Sequence, residues 1–160
     1  MTGGQVGRVV WPDTQDQEPP CCHRYRSAVW LLGRHEQLAG LAARIPGVIS
    51  ADADGPDIDL DALADAITGS DADGQAWADY ERRSPAPDDD AGYHRWVAAG
   101  PQPGPGVAAF VVMSSGEQAR LRLLAMFATD RVPVTVSDLA CLDDDGTRLL
   151  TDWCRAVQAQ

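Results

Sequence analysis

Apolar residues recur at helical spacing along most of this chain. From Arg24 to about Arg44, Leu31, Leu38 and Ile45 fall seven apart, and Ala28, Leu32, Ala39 and Ala42 widen the stripe into a face. That spacing predicts one helix, stopped by Pro46-Gly47. Leu60, Leu63, Ala64 and Ile67 form the next stripe, entered through Asp57 or Asp59 as a cap. Ala76, Trp77 and Tyr80 continue it over Asp71 to Arg83, with Gly69-Ser70 either breaking or bending one long helix. Asp88 to Ala99 predicts a further helix with acidic residues in its first turn and Tyr93, Trp96 and Val97 on its buried side. The run VAAFVVM at 107–113 is continuously apolar, and its length favours a buried strand.

Ser114 and Glu117 match the reciprocal capping pattern and open a helix from 115 to about 129, with apolar residues on nearly every side. Val132 to Val136 reads as an extended connector. Ser137 is read as the cap of a short helix reaching Leu142, and Asp143-Asp144-Asp145 as the start of the last helix. The stripe of that helix is read as Leu149, Leu150, Trp153, Cys154 and Val157. The expected fold class is mainly α: five to six helices and at most two short strands.

Proline and glycine divide the chain. GPQPGPG at 100–106 is crossed by no helix interior or central strand, so it joins an acidic helical unit, 23–99, to a C-terminal helical unit, 107–160. The two are expected to share a core. Residues 1–22 read as a flexible tail with Val9, Val10 and Trp11 as its apolar anchors. Gly33 and Gly40, seven apart on the first helix, suggest a close backbone approach by a neighbouring segment or by a second copy in a homodimer.

Charge sharpens the picture. The 160 residues carry 13 Arg, no Lys, no Asn and 24 acidic side chains, for a net charge of −11. Residues 51–90 hold 13 of the acids and two of the arginines, so the whole imbalance lies in that block. An acidic surface of this kind suits a basic protein partner or simply keeps a helix pair wet. The missing Lys and Asn fit a GC-rich coding source, such as an actinobacterium, a phage or another mobile element. No apolar run approaches the roughly 20 residues of a membrane span. A cytoplasmic location is expected, because the four cysteines show no disulfide or zinc spacing.

Candidate chemistry is sparse. Cys21, Cys22 and His23 could contribute metal ligands, but no CxxC or HxxxH spacing completes a set, and no cofactor is expected. His35 and Glu36 are adjacent on a helix and so diverge by about 100°. No nucleophile motif or phosphate-binding glycine loop occurs, and no catalytic residue is assigned. Trp77, Tyr80, Arg82, Arg83, Tyr93 and Trp96 flank a proline-rich acidic turn and combine the side chains that dominate binding hot spots.

The order of the final segments, a long helix, the stretch VPVTVSDLA and a Leu-Leu-Trp helix, resembles the tri-helical core of helix-turn-helix domains over roughly Gln118 to Val157. The resemblance implies a recognition helix presenting Arg148, Thr151 and Arg155. Three aspartates at its leading end, and a sum of −2 over 107–160, oppose phosphate contact. The expected function is a non-catalytic interaction or adaptor protein for a protein partner, with membrane and nucleic acid not expected as partners. A helix-turn-helix DNA-binding regulator is the alternative, and a metal-binding protein or enzyme the second.

Overall fold

A computed structural model of the chain describes residues 14, 17–20, 24–52, 55–83, 85, 89–100, 103–127 and 131–159. Among these, the chain forms α1 (Arg24–Arg34), α2 (Glu36–Ala43), β1 (Ile49–Asp52), β2 (Gly55–Ile58), α3 (Leu60–Glu81), α4 (Asp90–Ala98), α5 (Pro105–Val111), α6 (Ser115–Ala125), α7 (Val136–Ala140) and α8 (Asp144–Gln158). The protein is mainly α, with one antiparallel hairpin pairing Ile49 with Ile58 and Asp52 with Gly55. Eight helices stand where five to six are expected, for two physical reasons.

The first concerns the helix expected from Arg24 to Arg44. It is interrupted at His35, whose φ of −123° and ψ of 87° lie outside the helical region. Leu31 and Leu38 stay buried on both sides of the break, because a single non-helical residue leaves the two stripes facing the same core.

The second concerns residues 107–113, which are not a strand. Gly104 takes an extended N-cap conformation and Pro105, with its preset φ, starts α5 where a missing N–H costs nothing. The helix then lies directly on α3. A Cβ at Gly69 would come within 2.8 Å of Val107 Cγ2, and one at Gly106 within 3.3 Å of the Ala66 Cβ. These glycines mark the close approach. Gly40 does not, since a Cβ there meets nothing within 4 Å.

α3 runs unbroken through Gly69-Ser70, capped by Asp59, whose Oδ1 accepts from the Ala62 amide at 2.8 Å. Gly69 and Gly74 therefore respond oppositely to alanine. At Gly74 the added methyl enters open space, and about 1 kcal/mol of helix propensity is gained. At Gly69 the same gain is outweighed by overpacking of about 1–3 kcal/mol against a stiff valine. We expect Gly74→Ala to raise the urea midpoint and Gly69→Ala to lower it.

One apolar cluster joins Leu31, Leu38, Ile45, Leu63 and Ile67 to Phe110, Leu121, Leu124 and Leu149. α6 lies at its centre, touching α2, α3, α7 and α8. Its capping box is formed: Glu117 N–H donates to Ser114 Oγ at 3.3 Å and Ser114 N–H to Glu117 Oε2 at 2.7 Å. For α7 the cap is Thr135, not Ser137. Asp138, three residues on, returns its carboxylate to the Thr135 amide at 2.8 Å. Asp143 caps α8. Within the segment expected as a tail, Thr14 is buried, donating through Oγ1 to the Trp30 carbonyl at 2.9 Å, while Trp30 Nε1 donates to the Gln17 carbonyl at 3.1 Å.

Candidate functional site

Two surfaces carry chemistry, and they are built differently. The first is a polar cleft of about 590 Å³ between the His35 break, Arg120 of α6 and the first half of α8. The stripe expected for α8 places Cys154 and Val157 inward, but both are exposed. Leu149, Asp152 and Ala156 are the buried positions instead, with Trp153 packed beside them. Asp152 turns the helix to that phase. Its Oδ2 accepts from Arg34 Nε at 3.0 Å and from His35 Nε2 at 3.1 Å, and its Oδ1 from Arg155 at 3.3 Å. A carboxylate acceptor requires the proton of neutral His35 to be on Nε2. The Arg34 guanidinium also stacks 4.9 Å from the Trp30 ring centroid and donates to the Thr14 carbonyl at 2.9 Å.

Burial lowers the His35 pKa below its ordinary 6.5, against the opposing pull of Asp152; Arg34 and Arg120 lower it further. A depressed value means that the unfolded chain takes the proton first. This contribution to stability is complete above about pH 6.5 and is lost as pH falls towards the folded pKa. Urea midpoints of the wild type should therefore drop on acidification through that window. His35→Gln, which keeps a donor for Asp152, should flatten the slope there. Asp143 and Glu117 act lower on the scale: the Gly146 amide holds the one carboxyl down, and the Ser114 amide the other.

The second surface is apolar with an acidic border. No residue of α7 is buried, and Val136 is 84% exposed, with Leu139 also open to solvent. Val111 and Val112, at the end of α5, are exposed as well. Arg122 ties this region together, donating to Asp71 of α3 at 2.5 and 3.0 Å and approaching Asp138 of α7 at 3.6 Å. The Asp71 hydrogen bonds raise its pKa. Arg131 likewise pairs with Asp65. Around the corner, Met126, Phe127, Val132, Pro133, Trp153 and Val157 line a groove of about 310 Å³.

The residues singled out from sequence fall in three places. Cys21, Cys22 and His23 lie outside the described residues. Trp77 and Tyr80 belong to α3, but their side chains lie outside the description too. Arg82 and Arg83 are exposed at the end of α3, where Arg82 Nε donates to the Ala78 carbonyl at 3.2 Å. Tyr93, expected on the buried side of α4, is half-exposed, with its ring 5.8 Å from that of Trp96. Arg148, Thr151 and Arg155 all face outward from α8. Arg148 is paired with Asp145 at 3.5 Å, Arg155 with Asp152 at 3.3 Å, and Thr151 Oγ1 donates to the Thr147 carbonyl. Arg148 and Thr151 line the cleft.

Sequence reasoning passed over Arg34 and Arg120 and expected Asp152 on the solvent side of the last helix, whereas it is buried there against Arg34 and His35. Asp152 had a legible signal, since it stands three residues after Leu149 and four before Ala156, in phase with the buried face. Among the described residues, no three His, Cys, Asp or Glu side chains converge as metal ligands, and no helix is long and apolar enough to cross a membrane. Comparison with protein-family models, with curated proteins and with solved structures finds no match to this chain.

Proposed function

We propose that this protein is a non-catalytic interaction or adaptor protein that receives a basic, apolar-anchored segment of a protein partner. The observation that supports this reading is α7, a helix with no buried residue, whose Val136 and Leu139 are exposed to water. Its neighbour through Arg122 is Asp71 of α3, within the block that carries the whole net charge. Apolar anchors with an anionic border complement a segment that pairs leucine-like side chains with arginine or lysine. The pairs between Arg122 and Asp71 and between Arg131 and Asp65 leave those carboxylates about half or more exposed, so the border stays accessible.

The test measures binding of a fluorescent Lys/Leu helical peptide beside its Glu/Leu counterpart and a DNA duplex. The basic peptide should bind, weaken with added salt, and lose at least about tenfold, or 1.4 kcal/mol, on Val136→Asp with Leu139→Asp. Equal binding of both peptides, or indifference to those substitutions, would sink the reading. Duplex binding lost in Arg148→Ala and Arg155→Ala would favour the helix-turn-helix regulator instead.

A further inference from the structure

We propose that the segment leading into Thr14, residues 1–13, docks on the α7 face of its own chain through Arg8, Val9, Val10 and Trp11, and that the protein partner binds by displacing it. The inference rests on the reading of that face as a receptor for a basic, apolar-anchored segment. Residues 1–13 lie outside the described residues. Their chemistry, their point of attachment and their reach carry the assignment.

The chemistry is that of the expected partner. Residues 1–12 carry Arg8 and no carboxylate, in a chain whose net charge is −11, and Asp13 follows beside the anchor. Val9, Val10 and Trp11 stand directly after that arginine. None of the other stretches of chain outside the described residues contains an arginine or a Val, Leu, Ile, Phe, Tyr or Trp. The face offers the complement, with Val136 and Leu139 open to solvent. Asp65, Asp71 and Asp138 border it and are paired with only two guanidiniums, those of Arg131 and Arg122. One negative charge is left over at that border, and Arg8 supplies its counterpart.

Thr14 fixes where the segment leaves the fold. It is buried, its Oγ1 donates to the Trp30 carbonyl at 2.9 Å, and its own carbonyl accepts from Arg34 at 2.9 Å and from the Gln17 amide at 3.1 Å. Thirteen extended residues reach about 43 Å. A fold of this length has a radius of gyration of about 15 Å, so the α7 face is within reach while the anchor stays in place. Tethered in this way, the segment meets the face at an effective concentration on the order of a millimolar. Even a millimolar intrinsic affinity then fills the face in about half of the molecules. The rest are open, and a partner that binds more tightly draws the population over.

The test uses the full chain and the fluorescent Lys/Leu peptide. Val10→Asp with Trp11→Asp should tighten peptide binding by about twofold or more, because the internal competitor is lost. Without peptide, the Val136 and Leu139 amide resonances should differ between wild type and variant and stay fixed on dilution, as a contact within one chain requires. Arg8→Gln should move both readouts the same way by less, and it carries the test if the urea midpoint of the double variant falls. Equal peptide affinity in wild type and variants overturns the inference. So do identical resonances, or resonances that move on dilution, which would seat the segment on a second copy. Failure of the adaptor reading is a separate outcome: the peptide then binds neither form, and the resonance comparison alone decides whether the segment docks.

Discussion

Asp152→Ala should lower stability by about 3 kcal/mol, read as a fall in the urea midpoint at unchanged slope. The carboxylate is 12% exposed and faces Arg34 at 15%, so its removal takes that carboxylate from Arg34, which keeps the Thr14 carbonyl, and takes the acceptor of neutral His35 at a mostly buried site. Breaking a buried pair from one side costs about 3–5 kcal/mol, and the residual exposure places this one at the low end. Arg155→Ala supplies the contrast. That arginine is 61% exposed on the same carboxylate, and its loss should cost less than about 1 kcal/mol. The double variant Arg34→Met with Asp152→Leu should recover much of the loss, since apolar replacement of both partners removes the stranded charge. A single-variant cost below about 1 kcal/mol would mean that α8 is held by its other contacts, Leu149, Ala156 and Trp153 among them, and not by this pair.

Asp152 also shows where sequence reading loses its hold. The helix α8 itself was legible from the aspartates at its start and the Leu-Leu-Trp pattern after them. Its phase was not, because a stripe drawn from apolar residues gives an aspartate no place on the inner face, while the structure puts it there with two partners more than a hundred residues away. The His35 break is hidden for the opposite reason. Leu31 and Leu38 keep their spacing across it, so the pattern gives no sign that a backbone bond is missing. The cap of α7 could have been read correctly: Thr135 has an acid three residues on at Asp138, whereas Ser137 has Ala140. The polar cleft, assembled from α2, α6 and α8, has no local signature. Each of its members belongs to a different stretch of chain, and only packing brings them together.

The run at 107–113 tests that lesson energetically. Its valines and phenylalanine favour a strand, yet α5 is a helix because two glycines let it settle on α3 and bury Phe110 completely. The ring lies 5.6 Å from the Arg122 guanidinium, and the Phe110 carbonyl accepts from Gln118 Nε2 at 3.3 Å. Phe110→Ala should then cost about 3–5 kcal/mol, the transfer loss plus the cavity left among residues that cannot close over it. For a chain of this size that corresponds to a fall in Tm of roughly 10 °C, visible by calorimetry. Val112→Ser, at a 74% exposed position two residues on, should change stability by less than about 0.5 kcal/mol. The ratio of the two effects is the informative quantity. A strand with alternating faces would bury both positions alike, two residues apart, whereas a helix ending at Val111 buries one and releases the other. Comparable losses at 110 and 112 would restore the strand and remove α5 from the face of α3.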